Sequence, residues 1–392
     1  MLDDALFAVA LLVLCWNAIG LINRWFELKR HGFTVSPGYV MWRTERGLGF
    51  IDRTAGLSRR GWIAYGTLAA AAGFMMMAFI FVMLLANLII MLTTPIRAPG
   101  VMLVYPGLIP WLPIAPWLIA VGLLLVVHEF SHGIMLRAHG LRTRSVGAMV
   151  LVVLFGAFVE PDEKQLEASA PSKRMRVYAA GSVANVLLAF VSLGLILLLL
   201  SPKPGVYIWA SAENYVDNFP PGARLCSING HSIENFDDYY AAIEGLSAGD
   251  RIYAVVDGRE VSGVLMGRTE NENSTFLPVI LASAPDTFNF INPLYVAGVA
   301  MAELVGSPVF HPYIYQAHAP WWLIDVLKWI FILNLGVGLF NMLPAVPLDG
   351  GYMLRALLEC RMSKRSAARI TKILSFVILF LIIANFIPSF LR

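Results

Sequence analysis

Apolar residues run through this chain in long blocks divided by shorter polar stretches. About 20 apolar residues make one bilayer crossing. Blocks near that length predict membrane-spanning helices at residues 5–22, 63–92, 116–136, 177–200 and 321–339, with a shorter sixth at 373–386. Two stretches break the pattern. Residues 146–159 are apolar and β-branched but too short to span as a helix, and they contain Gly147 and Gly156. They predict a re-entrant or interfacial element, or else a kinked hydrophobic loop. From residue 202 to 285 the pattern becomes that of a soluble domain. Strand-prone pieces at 224–228, 251–256 and 260–265 are divided by Asn229-Gly230 and Asp257-Gly258, and a short helix is expected at 236–246. The predicted fold is an α-helical polytopic membrane protein with about six transmembrane helices. A small α+β domain at 202–286 is inserted between membrane regions 1–201 and 287–392. Residues 287–320 are expected outside the membrane or on its surface, since another crossing would invert the basic loop that follows.

Composition sharpens this picture. Of 392 residues, 58% are hydrophobic and 14% charged, and the mean hydropathy is +0.69, which excludes a soluble globular protein. A net charge of only +3 predicts no nucleic-acid partner; the expected surroundings are the lipid bilayer. Cys15, Cys226 and Cys360 are scattered, odd in number and form no CxxC pair, which argues against a disulfide framework or a thiolate zinc site. The first block follows Asp3 and Asp4 and lacks a basic start and a small-residue cleavage site, so it is expected to stay as an anchor. Lysine and arginine favour cytoplasmic loops. Residues 24–60 carry Arg24, Lys29, Arg30, Arg43, Arg46, Arg53, Arg59 and Arg60, which puts them in the cytosol. Residues 93–115 carry only Arg97 and are expected on the opposite side; Arg137, Arg142 and Arg144 return the chain to the cytosol. Parity then makes the inserted domain extracytoplasmic, and the basic residues 355–372 are again cytosolic.

The candidate chemistry sits in the third block, at His128-Glu129-Phe130-Ser131-His132. Histidines four apart on a helix lie about 40° apart around its axis, so both rings reach one metal ion. Glu129 stands beside them, where a carboxylate can take a proton from activated water. In a soluble helix such a pattern is often just two hydrogen-bonded histidines and a paired glutamate. Ionisable groups at lipid depth are expensive and rarely idle. By helical rise the pair lies roughly 8–14 Å inside the end marked by Arg137. Asn185, in the small-residue stretch Gly181-Ser182-Val183-Ala184-Asn185, is an amide in lipid that needs a partner, which the metal site offers; Gly181 itself suits helix packing. Residues 341–351 break the fifth block with two prolines and two glycines and deliver Asp349 at matching depth. Asp349 reads either as a cap for the helix that follows or as a third metal ligand, and the depth favours the ligand. Two histidines and a carboxylate form a zinc site of the catalytic type, so the expected cofactor is one Zn2+ and the expected reaction is peptide-bond hydrolysis. Residues 146–159 would offer a strand edge to an extended substrate. Two rival readings are a membrane metal transporter or sensor, which leaves Glu129 idle, and an inactive scaffold.

With these residues in hand the chain resembles the site-2 proteases, intramembrane zinc metalloproteases. The resemblance rests on the histidine pair, on Gly181 to Asn185, on Asn341-Met342-Leu343-Pro344 running into Leu348-Asp349-Gly350, and on Gly156-Ala157-Phe158-Val159-Glu160-Pro161, which is similar to the family's membrane-associated β-loop. It implies His128, His132 and Asp349 as ligands, Glu129 as base, and Asn185 and Asn341 as groups that position substrate or stabilise an oxyanion. Gly156, Ala157, Phe158 and Val159 would pair with the substrate strand. Residues 222–225 leading to 228–233 are similar to a single PDZ domain. The family implies single-span membrane-protein substrates, already shortened by another protease and filtered or oriented by that domain.

Overall fold

The computed structural model describes residues 2–94, 99–268, 271–307 and 309–387, with side chains described from residue 13 onward and not at 267–275. The expectation for Arg97 falls outside these residues. In chain order the helices are α1 (Leu2–Phe26), α2 (Leu48–Leu57), α3 (Arg59–Thr93), α4 (Ile114–Ala138), α5 (Glu163–Ala168), α6 (Pro171–Leu199), α7 (Phe236–Ile243), α8 (Pro293–Leu304), α9 (Trp321–Asn341), α10 (Asp349–Leu358) and α11 (Lys364–Phe386). Among the described residues five of them, α3, α4, α6, α9 and α11, are long and apolar enough to cross a bilayer. The first expected span, 5–22, falls on α1, whose side chains up to residue 12 lie outside the described set. At 12 residues α8 is too short to cross.

Contacts divide the chain into two compact units, one of residues 1–108, 112–191 and 329–392, the other of residues 109–111 and 192–328. In the first, α3 and α11 are joined at depth by asparagines. Asn87 donates to Asn385 Oδ1 at 2.9 Å, and Asn385 donates to the Leu84 carbonyl at 3.1 Å. Amides in lipid satisfy each other in this way. Ser58 and Ser363 cap the starts of α3 and α11, accepting from the backbone N–H groups of Gly61 and Ser366.

The same unit holds a four-stranded antiparallel sheet, β1 (Phe33–Ser36), β2 (Tyr39–Thr44), β3 (Thr143–Leu151) and β4 (Leu154–Pro161), in that order. Residues 146–159 therefore form a hairpin, and only half of the run is an edge. β3 lies between β2 and β4, while no strand among the described residues pairs with the far side of β4. The basic region 24–60, expected only as a cytosolic loop, supplies β1, β2 and α2. Trp16 Nε1 and Tyr105 Oη donate to the carbonyls of Val152 and Val153, which holds the hairpin tip. Ile51 and Ala55 of α2, Ile134 of α4, Val146 and Val159 share one core, so α4 is packed against the sheet.

The second unit has its own core of Val206, Ile208, Phe219, Leu225, Ile228 and neighbours. Its main sheet orders the strands Arg259–Val264, Arg251–Val256, Arg224–Ile228, Val206–Ser211 and Val279–Ala282, all antiparallel. α7 starts on a capping box made by Asn235 and Asp238.

Candidate metal centre

α4 is apolar on all sides except for the turn around His128, Glu129 and His132 and for Arg137 in its last turn. Helical spacing brings the two Nε2 atoms to 3.1 Å. The third donor comes from a distant point in the chain. After α9 ends at Asn341, the loop to Leu348 folds back and α10 begins at Asp349. Gly350 allows this return, since a Cβ there would stand 2.2 Å from the Met342 carbonyl oxygen. The capping position of α10 is Leu348, with no side-chain cap, so the Asp349 carboxylate is free for other work. Its Oδ2 lies 3.2 Å from His128 Nε2 and 3.3 Å from His132 Nε2.

These three atoms form a nearly equilateral triangle, with His128 buried and the other two residues half-buried. Bonds of about 2.0–2.1 Å in a tetrahedron hold neighbouring donors roughly 3.3 Å apart, and zinc bound by two imidazoles and a carboxylate has those bond lengths. The donor set and its spacing fit zinc.

The surrounding groups turn the rings the right way. His132 Nδ1 donates to the Val177 carbonyl at 2.7 Å, which leaves Nε2 unprotonated and facing the other donors. At His128 the partner is the Asn185 amide, 3.2 Å from Nδ1. Asn185 is fully buried and its Oδ1 has no partner when the NH2 faces the ring. A half-turn of that amide brings Oδ1 onto the Nδ1–H and frees Nε2 for a metal. Ser182 Oγ donates to Asp349 Oδ2 at 3.1 Å. Gly181 lets α6 approach this closely, because a Cβ there would meet His132 Nε2 at 2.4 Å.

Glu129 does not join the triangle. Its Oε2 accepts the backbone N–H of Val159 on β4 at 2.9 Å. Val159 thus points its amide away from β3, and by alternation the outward backbone groups of β4 are those of Val159, Ala157 and Phe155. Gly156 and Phe158 turn theirs inward. Asn341 is half-buried at the end of α9 and makes no hydrogen bond to the three donors or to Glu129.

Sequence reasoning missed Ser182, Val177 and the Val159 amide as neighbours of the centre. A hydroxyl beside Asn185 in an apolar helix was the available signal for Ser182. The other two act through backbone atoms, which any residue carries.

Comparison with known proteins gives one family match. A family profile described as Peptidase family M50 matches residues 116–385. An uncharacterized protein of Methanocaldococcus jannaschii is 25% identical over 268 residues, covering 67% of this chain and 61% of its own length. A Rhizobium meliloti protein, whose name assigns it provisionally to the zinc metalloproteases, is 23% identical over 319 residues, covering 62% of this chain and 85% of its own length.

Proposed function

The chain belongs to peptidase family M50, and from that premise we propose that it is an intramembrane zinc protease that hydrolyses peptide bonds in or beside the transmembrane segments of single-span membrane proteins. The observation that carries this reading is the zinc-sized triangle of His128, His132 and Asp349 with Glu129 beside it, its two histidines and Glu129 standing on a helix of membrane-spanning character. Zinc in such a set acidifies water towards neutral pH and polarises a carbonyl. His128, His132 and Asp349 would hold the ion, with Asn185 and Ser182 fixing two of them in place. Glu129, steadied by the Val159 N–H, accepts the water proton and delivers it to the leaving amine.

A peptide unwound in lipid has amides without partners, and the outer edge of β4 supplies them by strand addition. Asn341 is our candidate for a further contact to the substrate. Within the second unit, residues 202–286 are read as a PDZ-like domain on the extracytoplasmic side, which filters or orients chains already shortened by another protease. The bias of arginine and lysine sets the metal centre towards the cytosolic end of its helices.

Purified protein in detergent should carry about one zinc per chain and cleave a single-span substrate. Glu129→Gln should retain the metal and cleave at least about 100-fold more slowly, the lower bound of a general base's contribution. Undiminished cleavage by that variant would overturn the mechanism, and zinc transport by it would favour a transporter.

A further inference from the structure

A groove that the metal centre does not use runs along α11, beside the loop joining α9 to α10. Its volume is about 670 Å³, within the range of cavities that hold small ligands. Its lining is graded. Phe340, Phe376, Leu379 and Ile382 make apolar walls, while Arg355 and Lys372 are the cations in it. From Lys372 to Ile382 the rise along α11 is about 15 Å. We propose that this groove binds one anionic phospholipid, with the phosphate on Lys372 and Arg355 and an acyl chain along Phe376, Leu379 and Ile382.

Two arguments lead to this occupant. The groove is lined by a helix of membrane-spanning character, and Phe376 and Leu379 are exposed. At that depth the solvent is hydrocarbon, so an acyl chain fills apolar walls that water would wet at a cost. The charges then select the headgroup. Glu359 is the carboxylate of this cluster, 3.2 Å from Arg355 Nε and 2.5 Å from Arg174. The groove's own lining holds Arg355 and Lys372 and no acidic residue, which leaves it positive. Lys372 is exposed and has no carboxylate partner among the described residues. Arg365 and Arg369, also exposed, precede it on α11. A peptide in the groove would have to bring its own acidic group to that end, whereas an anionic lipid carries one by construction.

The test is native mass spectrometry of the full chain, equilibrated in detergent micelles containing equal phosphatidylglycerol and phosphatidylcholine. The wild type should retain one phosphatidylglycerol in preference to phosphatidylcholine. Lys372→Glu should lower retention of phosphatidylglycerol at least about fivefold, the effect of one cation at an anionic headgroup, and leave phosphatidylcholine unchanged. Leu379→Trp, which fills the groove, should lower retention of both. Equal retention of the two lipids by the wild type would overturn the proposal, as would phosphatidylglycerol retention untouched by Lys372→Glu. A photo-crosslinker at Phe376 that captures a single-span substrate peptide in place of lipid would also overturn it.

Discussion

A histidine that offers one ring nitrogen to a metal is fixed in tautomer and orientation by what the other nitrogen meets, and the two candidate ligand histidines engage theirs with different groups. His132 uses the Val177 carbonyl, which no substitution removes; His128 relies on the Asn185 side chain. Asn185→Leu keeps the volume and removes the partner. We expect zinc affinity, measured by chelator competition, to fall about 10–100-fold, with cleavage recovering at saturating zinc. Were Asn185 only a substrate contact, affinity would hold and cleavage would stay low at any zinc concentration. His139, just beyond α4, behaves in the opposite sense to a paired histidine. Burial and the cations Arg176, Lys173 and Arg59 push it down to about 4. The unfolded chain takes up this proton from about pH 6.5 downward while the folded chain stays neutral. Stability should therefore fall as pH drops from about 6.5 to 4, and His139→Phe should flatten that part of a thermal-denaturation profile. At this scale the sequence was informative where chemistry resides in side chains. The spacing of His128 and His132 gave away one turn of helix, but the carbonyl of Val177 and the amide of Val159 have no signature in any alphabet of side chains.

Elements were legible when their signal was local. Long apolar blocks marked the apolar stretches of α3, α4, α6, α9 and α11, because a lipid-facing helix needs apolar residues on every side, and missed the polar first turns of α6 and α11, which start at Pro171 and Lys364. The β1–β2 hairpin escaped notice because the basic residues around it advertised topology and its pairing partner lies about a hundred residues away; Trp42 meets Ala148 and Met41 meets Met149. Its presence leaves β4 as the one edge beside Glu129. The strand can be tested by its own alternation. Ala157 turns its N–H away from β3, so Ala157→Pro removes an outward donor and spares the β3 ladder. Cleavage should slow several-fold with zinc content unchanged, as read by paired turnover and metal assays. An unchanged rate would remove β4 from substrate binding.

Across the whole molecule the metal would act as a cross-link. It would join α4 to α10, whose donors His132 and Asp349 are far apart in sequence. A ligand that binds only the folded state at about 1,000 times its Kd stabilises by roughly 4 kcal/mol. Chelation should therefore lower the apparent melting temperature as well as abolish cleavage, and added zinc should restore both. Loss of cleavage with no thermal shift would show that the ion does not bridge these helices. What the sequence could not convey at this scale is the partition into units. Beside residues 109–111, the second one runs from within α6 to within α9, past the limits of the inserted domain expected at 202–286, and those outer limits fall inside continuous helices with no composition change to mark them.

On the proposed reading, the bond between Glu129 and Val159 would also limit how firmly a guest chain is held. With that amide engaged, a strand laid along β4 finds complete pairing positions only at Ala157 and Phe155 before the turn at residues 152–153. Two positions align a chain without gripping it. A long ladder would leave each cut fragment annealed to the strand. If β4 takes the substrate as proposed, the short ladder would ease departure of the product, and turnover would be built into the length of the edge.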